Sequence, residues 1–201
     1  DIQSRLPVKS NLIANFTQLA GTPKKLGSKI AFVGRLSEEK GPDSFAHIAS
    51  EALLRANAEL SKEQICLYGQ GPMEQELSSH YPKEWFAGYS KMSDHWQDIG
   101  LLCITSRHEG LPLVALEAMA HGVPVMSFEV GALPQLISEG KDGWIIENQN
   151  HHAFIDSVIE WSKLNEEQRW DFVENTQNKI KTQFSSDTLV PKILSIYNQV
   201  V

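Results

Sequence analysis

Short apolar runs recur along the chain, and most are followed by a segment whose apolar residues repeat with a helical period. The runs have the length of buried strands and end near glycine or polar turn residues. Strands that alternate with helices at this spacing pair in parallel. The pattern therefore predicts an α/β fold, a three-layer, Rossmann-like, doubly wound parallel six-stranded sheet. The six runs are KIAFVG (29–34), ICLYG (65–69), WFAGY (85–89), LLCITS (101–106), PVMSFE (124–129) and KDGWIIE (141–147).

Amphipathic or apolar segments of helical period connect these runs. Asp43 is predicted to cap the first helix, and Pro112 suits the first position of the helix that follows the fourth strand. From His151 onward the pattern is helical, with breaks around Asn165 and Ser185. The other predicted helices cover 43–60, 73–80, 92–98, 112–120 and 132–138.

The composition is that of an ordinary globular protein: 201 residues, 41% hydrophobic, with a formal net charge of -7. No long basic patch indicates a nucleic-acid partner, and no apolar stretch of 18 residues indicates a membrane span. Cys66 and Cys103 lie within predicted strands, which favours buried free thiols over a disulfide or a metal pair.

The first strong strand begins only near Lys29, and the sequence starts at Asp1. We therefore expect an excised domain whose N-terminal neighbour is absent. The expected divisions are a lead-in or linker at 1–28, the sheet domain at 29–184 and a C-terminal helical segment at 185–201.

Ligands of open parallel sheets bind beyond the carboxyl ends of the strands, where the strand order reverses. In the common order 3-2-1-4-5-6, strands one and four are neighbours at that point. This rule selects the loops GRLSEEKG (34–41) and RHEGLP (107–112), which also contain unusual polar residues.

Two carboxylates, Glu109 and Glu117, stand among apolar residues. The helix at 112–120 is apolar on nearly every side, so it is predicted to be buried all round, and a buried Glu117 needs hydrogen-bond donors. The helix dipole and a neighbouring residue would satisfy it in one interpretation, and a ligand diol such as a ribose would do so in the other. Glu109 precedes the helix beside Gly110, in what is either a simple turn or a ligand contact.

Arg35 and Lys40 are either solvated loop residues or phosphate ligands. Their expected position opposite a helix N-terminus, with free N–H groups from Leu113 onward, favours a diphosphate and its attached sugar. The motif GQGPME (69–74) is a poor dinucleotide fingerprint, because it follows the second strand and has Glu74 at the third glycine position. Gly88 and Gly131 suit either turns or close backbone approach. The seven histidines form no convincing metal set.

The motifs GRLSEEKG, YGQGP, EGLPLVALEA and HGVPV occur in order between residues 29 and 150. Together they resemble the C-terminal, nucleotide-sugar-binding domain of retaining GT-B glycosyltransferases of group 1, family 4. Glu109 and Glu117 match the Glu-x7-Glu signature of that family.

The resemblance implies a role for each matching residue. Arg35 and Lys40 would neutralise the diphosphate that leaves, Glu109 would contact the donor sugar and Glu117 would hold the ribose. Arg35, Lys40 and Glu109 would be the catalytic residues. The donor-binding set would be Gly34, Arg35, Lys40, Gly88, Tyr89, Glu109, Gly110, Leu113, Val114 and Glu117.

The resemblance further implies a nucleoside-diphosphate sugar as donor, no metal or other cofactor, and a role in polysaccharide biosynthesis. A glycan or lipid-linked acceptor would bind the absent N-terminal domain, to which the segment 185–201 would cross, so the chain alone should bind nucleotide and transfer no sugar. The expected location is the cytoplasm, with peripheral attachment to the inner face of the membrane left open. A sugar-nucleotide 2-epimerase of the same architecture and a non-catalytic nucleotide-sugar-binding module are the alternatives.

Overall fold

A computed structural model of the chain describes residues 14–56 and 59–198. Six parallel strands form one sheet in the order β3-β2-β1-β4-β5-β6, as the sequence predicts. The strands are β1 (Lys29–Val33), β2 (Ile65–Tyr68), β3 (Phe86–Gly88), β4 (Ile99–Ile104), β5 (Val125–Phe128) and β6 (Gly143–Ile146).

Seven α-helices lie in the described part of the chain. They are α1 (Pro42–Arg55), α2 (Glu74–His80), α3 (Leu113–Ala120), α4 (Leu133–Leu136), α5 (His151–Ser162), α6 (Glu166–Lys179) and α7 (Ser186–Asn198). The predicted breaks around Asn165 and Ser185 are confirmed. Asn165 caps α6 in a capping box, and a π-helical turn at Ile180–Phe184 separates α6 from α7.

Several predicted helices differ from the observed ones. The first ends at Arg55 rather than at residue 60, and the predicted helix at 132–138 is shortened to Leu133–Leu136. Asp43 does not cap α1, because Gly41 in the left-handed conformation takes the cap position and Asp43 falls in the first turn. Pro112 is the cap residue of α3 rather than its first helical residue, since its ψ of 129° is extended. The predicted helix at 92–98 is instead two 3₁₀ turns, Met92–Asp94 and Trp96–Asp98.

The core is continuous across both faces of the sheet. Strands β2 and β5 are buried at every position, as expected for parallel strands between helical layers. Large side chains such as Phe45, Phe128 and Trp161 fill the space between sheet and helices. Cys66 and Cys103 are both buried and free, which confirms their predicted state.

The described part of the predicted lead-in packs on the sheet domain. The backbone N–H of Thr17 donates to the carbonyl of Phe184, and the side-chain amide of Asn15 donates to the carbonyl of Leu111. Thr17 also forms an isolated parallel bridge with Ser185, and residues 1–13 lie outside the described residues. In α7, Leu189 is buried, whereas Val190, Leu194 and Tyr197 are exposed. The crossing of this helix to another domain stays a prediction. None of the described helices is both long and apolar enough to traverse a bilayer.

Candidate functional site

The reversal of strand order between β1 and β4 leaves a cleft at the carboxyl ends of these strands. We call it the carboxylate cleft. Its volume is about 400 Å³, within the range of about 300 to 1,000 Å³ typical of small-molecule sites. Both predicted loops contribute to it. Its lining is Phe32, Val33, Gly34, Lys40, Cys103, Ile104, Ser106, Glu109, Pro112, Leu113, Val114 and Glu117.

Glu109 is held from two sides. The ammonium of Lys40 lies 2.9 Å from Oε1 of Glu109, and the hydroxyl of Ser106 donates to the same oxygen at 2.7 Å. The Glu109 side chain is only 9% exposed and that of Lys40 is 32% exposed. A nearly buried carboxylate is therefore neutralised across the cleft by a cation that still reaches solvent.

Hydrogen bonds fasten the loop after β1 to the loop after β4. The guanidinium of Arg107 forms a bidentate ion pair with Asp43 and donates to the carbonyl of Glu38. The hydroxyl of Thr105 donates to the carbonyl of Gly41 at 2.7 Å. Because Lys40 lies between these anchors, its distance from Glu109 is set by the packing of the two loops.

Asp43 and Arg107 influence each other's titration. Burial raises the pKa of the Asp43 carboxyl, but the hydrogen bonds and charge of Arg107, with backbone N–H groups of the first helical turn, outweigh it and hold this pKa below its ordinary value. The same ion pair raises the pKa of Arg107. Both groups are charged at neutral pH, so this ion pair, which we call the loop clamp, persists there.

Helix α3 presents its N-terminus and one face to the carboxylate cleft. The prediction that this helix is buried all round is wrong: Leu113 is 54% exposed and Glu117 is exposed as well. The open cleft exposes them, while Ala115 and Leu116 pack into the core. The first N–H groups of α3, at Leu113 and Val114, have no acceptor within the helix, as at any helix N-terminus, and no side chain caps them. Because Glu117 is exposed to the cleft, it does not need the hydrogen-bond donors that a buried carboxylate would require.

A second cleft, of about 310 Å³, adjoins the first and shares Val33 and Gly34 with it. We call it the tyrosine cleft. Its other lining residues are Arg35, Tyr68, Gly69, Gln70, Tyr89, Ser90 and Met92. Tyr89 is 82% exposed, which leaves its ring free to stack on a planar ligand. The two predicted cations thus line different, adjoining clefts, with Arg35 in the tyrosine cleft and Lys40 in the carboxylate cleft.

Two predicted site residues do not line either cleft. Gly88 ends β3 with a φ of 70°, directly before Tyr89. Gly110 instead accepts a hydrogen bond from the backbone of Ala132. The close approach at Gly131 is to the carbonyls of Glu109 and Gly110, so it supports the loop that bears Glu109.

The sequence analysis assigns no role to Ser106 or Arg107, although they lie three and two residues before Glu109. Ser106 ends the fourth predicted strand, where a serine suggests no contact, but Arg107 is the first residue of the predicted loop RHEGLP, and its charge there indicates a nearby anionic group. Cys103 and Tyr68 complete the cleft walls, and burial raises the pKa of each, so both are neutral at pH 7. Within the described ranges no group of three His, Cys, Asp or Glu side chains is arranged to hold a metal ion.

The profile of the family described as glycosyl transferases group 1 matches residues 27–163. This range contains both clefts and the whole sheet. Among curated proteins, the chain is 23% identical over 196 residues to the poly(ribitol-phosphate) alpha-N-acetylglucosaminyltransferase of Staphylococcus aureus, covering 92% of this chain and 39% of the relative.

Two solved structures are similar in fold. Staphylococcus aureus TarM, crystallised with fondaparinux, alpha-GlcNAc-glycerol and UDP, has a TM-score of 0.83 at 21% identity, over 98% of this chain and 41% of TarM. Anabaena HepE with UDP-glucose has a TM-score of 0.67 at 20% identity, over 86% of this chain and 49% of HepE. The chain spans half or less of the length of these proteins and of curated relatives such as the Staphylococcus enzyme.

Proposed function

Because the chain belongs to the glycosyl transferases of group 1, we propose that it is the donor-binding part of a glycosyltransferase. The enzyme would move a sugar from a nucleoside-diphosphate sugar to a glycan or lipid-linked acceptor. The carboxylate cleft carries this proposal, because a cation, a helix N-terminus and two carboxylates meet there at the switch point of a parallel sheet. UDP and UDP-glucose, present in the two similar structures, are ligands of the class that such groups suit.

The diphosphate would lie between Lys40, Arg35 and the N-terminus of α3. Lys40 and the uncapped N–H groups at Leu113 and Val114 line one cleft, and Arg35 lines the adjoining one. Backbone N–H groups at a helix N-terminus favour phosphate through hydrogen bonds and the helix dipole. Arg35 forms no ion pair with a described residue, so its charge is available for a ligand.

The carboxylates would bind hydroxyl groups on either side of the diphosphate. Glu117 is exposed to the cleft one to two turns into α3, where it suits a ribose diol. Glu109 is nearly buried and bonded to Lys40, where it suits a hydroxyl of the donor sugar. The base would enter the tyrosine cleft, beside Tyr89 and with Gly34 at the junction of the two clefts. Gly88, directly before Tyr89, and Gly110, directly after Glu109, would act only through the backbone of these neighbours.

We further propose a retaining reaction without a metal or other cofactor, in a C-terminal domain of the GT-B type, family 4. Breaking the glycosidic bond develops negative charge on the diphosphate, and Arg35 and Lys40 would stabilise it. Glu109 would orient the sugar at the reacting carbon. Removing one such preorganised group typically raises the barrier by about 2.7 to 4 kcal/mol in enzymes.

The acceptor would bind a second, N-terminal domain, and the two domains would close over the donor. On this proposal the 201-residue chain binds nucleotide and transfers no sugar. A sugar-transfer assay on the purified chain checks the second statement, and measurable transfer would contradict it. We expect the complete enzyme to act in polysaccharide biosynthesis in the cytoplasm.

The proposal is tested by calorimetric titration of the chain with UDP, GDP and ADP, each beside its monophosphate. We expect one diphosphate to bind more tightly than its monophosphate. Lys40→Ala should weaken that diphosphate by about tenfold or more, since hydrogen bonds to charged groups contribute about 1.5 to 3 kcal/mol. Glu117→Ala should weaken the diphosphate and the monophosphate equally, because both carry the ribose.

Lys62→Ala and Glu84→Ala are matched controls. These residues form an exposed ion pair at 3.5 Å, before β2 and β3 and away from both clefts. Neither substitution should change nucleotide affinity. No binding of any of the three diphosphates, or equal effects of Lys40→Ala and Lys62→Ala, would contradict the proposed site.

A further inference from the structure

Ser106 is a buried polar residue in the wall of the carboxylate cleft. It is 3% exposed, and its hydroxyl donates to Oε1 of Glu109 at 2.7 Å. Lys40 contacts the same oxygen at 2.9 Å. Two donors therefore converge on one carboxylate oxygen of Glu109, and no described residue donates to Oε2.

The two carboxylate oxygens of Glu109 therefore differ in their hydrogen bonding, because Oε1 accepts from both donors and Oε2 from no described residue. A serine hydroxyl has a single proton, and here that proton is committed to Oε1. A carboxylate accepts several hydrogen bonds, so Oε2 keeps its full capacity for a ligand hydroxyl in the cleft. Short bonds to an ionised acceptor are among the stronger ones, and they fix the rotation of the carboxylate plane.

The two donors differ in what a diphosphate would do to them. Lys40 has three N–H donors on a flexible stem and is 32% exposed, so its ammonium group would be able to turn toward an anion bound in the cleft. Ser106 is buried, lies three residues before Glu109 in the same loop, and has no comparable freedom. Ser106 is thus the donor that remains with Glu109 when Lys40 turns to phosphate.

We propose that Ser106 is a positioning residue that holds Glu109 with Oε2 directed at a hydroxyl of the donor sugar. The inference rests on the proposed function, and it makes Ser106 a determinant of sugar binding rather than of nucleotide binding. Its effect should therefore appear in the ratio of two affinities, that of a nucleotide sugar and that of the nucleoside diphosphate alone.

The test uses UDP-glucose and UDP-N-acetylglucosamine beside UDP, with the GDP and ADP counterparts if the first titrations favour those bases. Ser106→Ala should leave the affinity for the diphosphate within about twofold and weaken the nucleotide sugar by about tenfold, the order expected for one hydrogen bond to a charged group. Ser106→Thr keeps a hydroxyl and should restore the ratio. Ser127→Ala, an equally buried serine bonded to the carbonyl of Phe128, should leave the ratio unchanged.

A double-substitution cycle separates positioning from direct contact. If Ser106 acts through Glu109, Ser106→Ala should have no further effect on sugar binding in the Glu109→Ala background. A full, additive loss in that background would overturn the inference, and so would an unchanged ratio in Ser106→Ala alone. If the wild-type chain binds no nucleoside diphosphate at all, the proposed function fails and this inference fails with it.

Discussion

The guanidinium of Arg107 and the carboxylate of Asp43 form a bidentate ion pair, with Nη2 to Oδ2 at 2.7 Å and Nη1 to Oδ1 at 3.2 Å. The pair joins the loop after β4 to the first turn of α1. Lys40 lies three residues before Asp43, and Glu109 lies two residues after Arg107. The ion pair therefore helps to set the distance between the two charged groups of the carboxylate cleft.

Arg107→Ala removes this clamp. We expect the free energy of unfolding to fall by about 1 kcal/mol, because the pair is bidentate but its side chains are 30% and 36% exposed. The affinity for a nucleoside diphosphate should fall several-fold, since the Lys40 loop loses an anchor. Urea denaturation and calorimetry measure the two effects.

Arg55→Ala is the control for this prediction. Arg55 pairs with Glu51 one turn away on α1, and its side chain is 40% exposed. Its removal should cost about 0.2 to 0.5 kcal/mol and leave nucleotide binding unchanged. If Arg107→Ala behaves like Arg55→Ala in both measurements, the clamp has no part in the site.

The same ion pair makes the free energy of unfolding depend on pH in the acidic range. The pKa of Asp43 is lower in the folded state than its ordinary 3.8, so the unfolded state binds more protons in this range. The stabilisation is fully present above pH 3.8 and is lost as the pH falls through the folded pKa. The difference in unfolding free energy between wild type and Asp43→Asn should therefore be constant near neutral pH and shrink in acid. Denaturation series from pH 7 to strongly acidic pH check this, and a difference independent of pH would contradict it.

The sequence predicts the sheet because its evidence is local. Each strand is a short apolar run such as ICLYG, and its alternation with helices permits few topologies. The strand order then selects the two loops that line the carboxylate cleft, and Lys40 and Glu109 do lie on opposite loops. The chain thus specifies the location of the site through rules that need no knowledge of side-chain contacts.

The sequence does not predict the contacts within the site, because they join residues that are far apart along the chain. Arg107 and Asp43 are 64 residues apart, and Lys40 and Glu109 are 69 apart. Neither pairing follows from a local pattern. The sequence is wrong about the exposure of Glu117 for the same reason. Its apolar helix is predicted to be buried on all sides, but in the folded chain one face of the helix borders the carboxylate cleft.

Gly131 provides a test of how the Glu109 loop is supported. Its φ is 57°, and a Cβ there would lie 2.3 Å from the carbonyl oxygen of Glu109 and 2.4 Å from that of Gly110. Gly131→Ala should displace this loop and weaken the binding of a nucleotide sugar, in addition to destabilising the fold. Gly140→Ala measures the cost of the left-handed backbone conformation alone, because its φ is 69° and no atom lies within 4 Å of the added Cβ.

We expect Gly140→Ala to cost about 1 to 2 kcal/mol, the typical penalty of a left-handed conformation, and Gly131→Ala to cost more. Urea denaturation of both variants, followed by calorimetry with the nucleotide sugar, gives the comparison. Equal losses of stability and unchanged binding in Gly131→Ala would mean that the loop accommodates the methyl group without moving Glu109.

A final prediction concerns burial, which distinguishes two ion pairs of nearly equal length. Lys179 and Asp142 are 2.8 Å apart with side chains 11% and 4% exposed, whereas Lys25 and Asp98 are 2.7 Å apart with side chains 62% and 35% exposed. Lys179 also donates to the carbonyl of Leu136, the last residue of α4, and to the hydroxyl of Ser138, and so joins α6 to the end of α4 and the segment that follows it.

Lys179→Met keeps the apolar stem and leaves the Asp142 carboxylate buried without its cation, which should cost about 3 to 5 kcal/mol. Lys25→Met should cost about 1 kcal/mol or less, because water and salt screen an exposed pair. Adding Asp142→Asn to Lys179→Met should recover part of the loss, since the neutral amide still accepts from the backbone N–H of Ser138 through its oxygen. Urea denaturation of the single and double variants tests the argument. If the double variant is less stable than Lys179→Met, the loss comes from packing and not from an unpaired buried charge.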